Sequence, residues 1–177
     1  MHEFAPAFVY FNCVDNAKKA LMEAETQPFL KDNCVFIDGK TPMKERERVI
    51  RRVKRGTLDF VFLCGVFNEG ISINNVRTVV YADMRHSKIN TTQIAMRSNR
   101  LDPQKPFARL VVPIQRNDAK EGDDVQQAKE LDGLLRIMSG WDGRLKQETR
   151  KGDWSRLVIH DTTSRTRDNE KDAVCVD

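Results

Sequence analysis

The chain has 177 residues, 40% of them hydrophobic and 32% charged, with a formal net charge of +4. That length suits one compact domain with a core and an extension, which argues against two full domains, and the composition excludes disorder throughout. Four cysteines without a C-x-x-C pair, no apolar run near the ~18 residues of a membrane span, and a start HEFAPAF without a basic-then-apolar leader predict a soluble intracellular protein, free of membrane contact, in a reducing compartment.

AFVYF (7–11) is a short β-rich run, and Asn12 and Asp15 offer caps to the amphipathic stretch around AKKALMEA. CVFID (34–38) is the next strand. The triplet Gly39-Lys40-Thr41 that follows imitates a nucleotide-binding P-loop. A P-loop needs a further glycine five positions before Gly39, where Cys34 stands, and Pro42 follows the threonine at once. The plainer expectation is a strand that turns at Gly39 and enters a helix with Thr41 as N-cap and Pro42 at the first helical position. That helix carries Met43, Ile50 and Val53 at helical spacing and ends at Gly56.

Between Lys40 and Gly56 stand eight basic residues (Lys40, Lys44, Arg46, Arg48, Arg51, Arg52, Lys54, Arg55) against Glu45 and Glu47, a local excess of six. Charge alone leaves two readings open, a phosphate footprint and a solvated helix face. LDFVFLC and RTVVYAD are continuous apolar strands of the kind buried on both faces of a parallel sheet, and ARLVVPI is a fifth strand. Between the last two, a helix beginning near Asn90 runs through TTQIAMRSNRL. Strands alternating with helices over about 110 residues predict an α/β domain with a mainly parallel sheet.

The remainder differs. GDDVQQAKELDGLLRIMSGW has Ala128, Leu131, Leu135 and Met138 at spacings of three and four, an amphipathic helix that packs on the domain or on a partner. RLVIHD offers one more strand, and TTSRTRDNEKDAVCVD is polar enough to predict a disordered tail. The expected organisation is a lobe over 1–115, a helical extension over 116–160 and the tail over 161–177. Cys13, Cys34 and Cys64 end or interrupt apolar runs, and His2, His86 and His160 form no ligand spacing with them, so no metal site is expected.

Gln93, Arg97 and Arg100 are four and three residues apart and share one face of a helix. Two permanently charged guanidiniums and an amide suit the oxygens of a phosphate group, while a pair of helical arginines taken alone fits a solvated surface face more readily. Here the chain resembles the second RecA-like lobe of superfamily 2 helicases and translocases, over roughly residues 6–114. Gln93-Ile-Ala-Met96-Arg97-Ser-Asn-Arg100 matches the family's Q-x-x-G-R-x-x-R motif at all but the glycine. FLCGVFNEGISI is similar to its strand-loop motif ending in E-G-hydrophobic-D, with Glu69 and Gly70 matching and Ser72 in place of the acid. FVYFNCVDNAKKAL resembles the strand-cap-helix motif, and DGKTPMKERERVIRRVKRG resembles the H-G-x-x-x-x-x-x-R segment through Gly39 and Arg46.

YADMRHSKINTTQIAMRSNR also resembles a D-P-R-x-S-x-x-D-x-x-Q-x-x-G-R-x-x-R run of restriction-system translocases and helicase-like proteins of large DNA viruses, while the H-R-I-G-R-x-G-R run of DEAD-box enzymes is absent. The resemblance therefore favours DNA over RNA, with a cytoplasmic, nuclear or viral setting. It implies Arg100 as an arginine finger toward the γ-phosphate, Arg97 as a second phosphate contact and Gln93 as a coupling residue. It further implies Glu69, Gly70 and Ser72 near the nucleotide. Nucleic acid is expected to lie against strand ends at Asn12, Cys13, Gly39, Lys40, Cys64, Gly65 and Val66. ATP and Mg²⁺ would be held mainly by an N-terminal P-loop lobe of the same parent chain. Met96 and Ser72 depart from the family pattern and keep a second expectation open, a non-catalytic nucleic-acid- or protein-binding module on a degenerate lobe.

Overall fold

The computed structural model describes residues 4–66, 73–83, 94, 108–113, 123–140 and 143–151. Five strands form one sheet: β1 (Ala7–Phe11), β2 (Cys34–Asp38), β3 (Phe60–Cys64), β4 (Thr78–Tyr81) and β5 (Arg109–Val111). Helix α1 (Val14–Glu25) lies between β1 and β2, and α2 (Met43–Lys54) between β2 and β3. The strand order is β2-β3-β1-β4-β5 and every pairing is parallel.

Buried parallel strands have to be apolar on both sides, which is why AFVYF and FVFLC do not alternate with polar residues. The crossover from β1 to β2 runs one way along the sheet and that from β2 to β3 runs back. Two right-handed crossovers of opposite direction put their helices on opposite faces. α1 packs through Ala17, with Ala20, Leu21 and Ala24, on Val9, Phe11 and Phe62. The rings of Phe11 and Phe62 stack with centroids 6.0 Å apart. The opposite face, assigned to α2 by the same rule, buries Phe8, Tyr10, Ile37, Val61, Leu63, Val79 and Tyr81. The result is the expected three-layer, RecA-like α/β lobe.

Several local expectations shift. α1 is capped by Cys13 without a side-chain hydrogen bond, so neither Asn12 nor Asp15 is the cap, and Asp15 instead lies in the first turn where its charge suits the helix dipole. α2 begins one residue later than expected, with Pro42 as N-cap. Its buried residues are Val49 and Val53, while Met43 is 65% exposed and Ile50 half-buried. The apolar stripe is therefore narrower than the periodicity implied, and the half-buried Arg46 lines its N-terminal end. At the other end Gly56 sits at φ 69°, its N–H donating to Val53 O at 3.0 Å while that of Thr57 donates to Arg52 O at 3.0 Å. Those two bonds form a Schellman stop, which a glycine accommodates without steric cost. The Asn75 side chain adds a bond of 2.8 Å to Val53 O and ties the segment before β4 to the end of α2.

The chain divides into two compact units, Met1–Leu131 and Asp132–Asp177, with the boundary inside helix α3 (Asp123–Ser139). In the second unit Leu134 is buried, with Leu135 and Met138 half-buried, so the apolar face of α3 there centres on a residue the spacing argument passed over. Asp132 and Arg136 pair at 2.7 Å one turn apart. Helix α4 (Gly143–Lys151) lies within the span expected to be a helical extension, but GRLKQETRK offers no apolar stripe from which its bounds could have been set. The expected strand RLVIHD and the tail lie outside the described residues.

Val53→Ala is expected to lower the unfolding free energy by about 2 kcal/mol. Met43→Ala should change it by less than about 0.5 kcal/mol. Urea denaturation of the two variants checks the burial pattern of α2.

Candidate nucleic-acid interface

Because all strands run the same way and pair in register, their C-terminal ends reach one edge together. Phe11 pairs with Cys64, Cys64 with Asp38, and Tyr10 with Tyr81. The loops that follow carry Asn12 and Cys13 after β1, Gly39 and Lys40 after β2, Gly65 and Val66 after β3, and Ala82 and Asp83 after β4. All the residues expected to meet nucleic acid therefore share this edge. In open α/β sheets, ligands bind outside the carboxyl ends of the strands.

Asn12, Cys13, Gly39, Lys40 and Gly65 are exposed, whereas the side chains of Cys64 and Val66 are buried. Contact at those two positions is limited to the backbone. Gly65 stands at φ 67°, a conformation that disfavours other residues, and a Cβ built at Gly39 would meet nothing within 4 Å. Both glycines leave room for a chain to approach. The thiols differ sharply: Cys13 is exposed, while burial, with Glu25 and Asp59 adding to it, pushes Cys34 up to about 11.

The Gly39-Lys40-Thr41 turn is held from within. Asp38 Oδ1 accepts from the N–H of Lys40 at 3.0 Å, the N–H of Thr41 at 2.9 Å and Thr41 Oγ1 at 3.0 Å, while the Asp38 N–H donates to Thr41 Oγ1 at 3.0 Å. A P-loop presents such N–H groups to phosphates; here the carboxylate of Asp38 occupies two of them. Arg46 closes the turn from the other side, Nε donating to Thr41 O at 2.8 Å and one terminal nitrogen to Gly39 O at 2.8 Å and Asp38 O at 3.1 Å. Partial burial works against the charge on Asp38, but the hydrogen bonds from Thr41 and Lys40, with the nearby Lys18 ammonium, outweigh it and hold the carboxyl below its ordinary value.

One feature of the edge went unread in the sequence. The carboxylate of Asp83 accepts the Asn12 N–H at 2.8 Å and fastens the loop after β1 to the end of β4. The signal available was an acid placed directly after an apolar strand, YAD. Gln93, Arg97, Arg100, Glu69, Gly70 and Ser72 lie outside the described residues, as does Met96. Within the predicted helix near Asn90, Ile94 is described, and it is helical and fully buried.

Arg46→Ala is expected to cost about 2 kcal/mol at neutral pH, with Arg46→Lys recovering little, because one ammonium cannot span three carbonyls. Asp38 has a lowered folded-state pKa, so its contribution is present above the unfolded value of about 3.9 and is lost as pH falls through the folded value. The stability gap between wild type and Asp38→Ala should therefore shrink in denaturation curves taken from neutral pH down to about pH 2.

No curated protein sequence matches the chain. Among solved structures, the C-terminal domain of the DEAD-box protein Dbp5 is similar with a TM-score of 0.60 at 12% identity, covering 84% of this chain and 83% of that one. S. cerevisiae Dbp5 bound to RNA and ADP BeF3 gives 0.60 at 13% identity over 84% of this chain and 38% of that one. The E. coli DEAD-box protein SrmB, bound to the regulator of ribonuclease activity A, gives 0.56 at 16% identity over 77% and 71%. At these identities the likeness is one of fold. Residues 2–102, more than half of the chain, match the helicase conserved C-terminal domain, and the chain belongs to that family.

Proposed function

We propose that this lobe is the second half of an ATP-driven nucleic-acid translocase or helicase, acting on DNA. The observation that carries this reading is the common edge of the parallel sheet, where Asn12, Cys13, Gly39, Lys40 and Gly65 stand exposed side by side in a helicase C-terminal domain. Backbone contacts there would hold a strand without reading its sequence. ATP and Mg²⁺ are assigned to a first lobe, since the turn that imitates a P-loop has its N–H groups on Asp38.

Arg100 is the proposed finger toward the γ-phosphate, Arg97 a second contact and Gln93 the coupling residue, with Glu69, Gly70 and Ser72 beside the nucleotide. Preference for DNA rests on the likeness of YADMRHSKINTTQIAMRSNR to restriction-system and viral translocases, and the RNA in the Dbp5 structure keeps RNA as the competing polymer. A reducing intracellular setting belongs to the same proposal. Met96 and Ser72 favour a second reading, a lobe that binds without supporting turnover.

In a protein carrying both lobes, Arg100→Ala is expected to lower nucleic-acid-stimulated kcat by about 10³-fold or more while binding is kept. Undiminished turnover would remove the finger role. Stimulation by DNA should exceed that by RNA, and stimulation by RNA alone would overturn the DNA assignment. No turnover in the unmutated two-lobe protein would favour the binding module.

A further inference from the structure

We infer that the outer face of α2 is a second nucleic-acid contact, a track for the sugar-phosphate backbone of a duplex that continues from the strand-end edge down the side of the lobe. The inference rests on the nucleic-acid reading above for the kind of polymer. It concerns residues that reading does not use.

At about 100° per residue, Lys44, Arg51, Arg55 and Arg48 fall within an arc of roughly 60°, opposite the buried Val49 and Val53. All four are exposed. The other two arginines of the segment are spent on backbone carbonyls, Arg46 on the turn at Gly39 and Arg52 on Asp32 O and Thr57 O. That sorting leaves the outward arc almost purely cationic. Glu45 and Glu47 sit on its two flanks and approach Arg48 and Arg51 only at 3.7 Å, between side chains 47 to 69% exposed. Among the described residues no acid pairs with Lys44 or Arg55.

The track begins beside Lys40 at the strand-end edge and extends about 16 Å along the helix. Along the axis of a duplex that distance spans about five base-pair steps at 3.4 Å each. A straight, rigid row of charges fits a stiff duplex. A single strand would need aromatic platforms for its bases, and MKERERVIRRVK contains none.

The test measures binding of the 177-residue chain to a labelled DNA duplex of about 20 base pairs, the matching RNA duplex and the single strand, between about 50 and 200 mM salt. Replacing Lys44, Arg48, Arg51 and Arg55 together by Gln should flatten the duplex salt slope by up to about 3.6, close to 0.9 per lost contact. Single-strand binding should change far less. Glu45→Gln with Glu47→Gln should tighten duplex binding several-fold, a gain that a damaged fold could not produce. An unchanged slope in the fourfold variant, or absence of duplex binding by the wild type, would overturn the track. Equal losses on both duplexes support recognition of the shared phosphate backbone, and a loss confined to one support that polymer as its source. Lys40→Gln probes the strand-end edge separately. If it leaves single-strand binding intact while the fourfold variant loses the duplex, the edge reading fails and the track stands.

Discussion

Parallel pairing in register is the constraint on which the rest of this lobe depends. Because Phe11, Cys64 and Asp38 come level across β1, β3 and β2, every connecting loop at that end starts from the same height. Residues from distant parts of the chain thus become neighbours without any direct contact between their loops being required. The same pairing buries both faces of the sheet, and it therefore demands the long apolar runs AFVYF and FVFLC. Fold and site follow from one arrangement of backbone hydrogen bonds.

The turn after β2 shows how a chemical imitation is resolved by local partners. Gly39-Lys40-Thr41 has the residues of a phosphate cradle, yet an aspartate stands immediately before it. A carboxylate two residues from an amide and three from the next is well placed to accept both, and Asp38 does so. Once those donors are taken, the remaining carbonyls point elsewhere and Arg46 gathers three of them. Arg46 is the arginine that also matched the helicase segment. In this structure its work is to hold the loop at the sheet edge in one shape.

Much of the fold was legible because apolar runs and glycine stops carry their own geometry. β1 to β5 and the end of α2 at Gly56 appear where the pattern put them. The inward side of α2 was less legible: Met43 and Ile50 have helical spacing, but Val49 with Val53 face the interior, and an apolar count cannot separate two overlapping stripes that differ by one residue. Capping failed for a related reason. Thr41 has the chemistry of an N-cap, and Asp38 competes for its hydroxyl. α4 had no apolar signal to read. The exposed positions of the candidate interface were placed by strand ends alone, whereas the bond from the Asn12 N–H to Asp83 needed the pairing of β1 with β4, since the partners are 71 residues apart in sequence.

Helix α2 has two chemically distinct sides, and its composition makes sense only when they are separated. A helix with this excess of positive charge is poorly explained as solvation, since solubility is served as well by mixed signs. Its inward side uses Val49 and Val53 for packing and Arg46 for the turn. Arg52 closes the far end against Asp32 O and Thr57 O. Structural demands thus account fully for two of the arginines, whereas Arg48 and Arg51 make only exposed contacts at 3.7 Å with Glu45 and Glu47, and Lys44 and Arg55 have no acidic partner among the described residues. A partner for those four would have to be negative, extended and reached from outside the lobe, and the nucleic acid proposed for the neighbouring strand-end edge meets all three conditions.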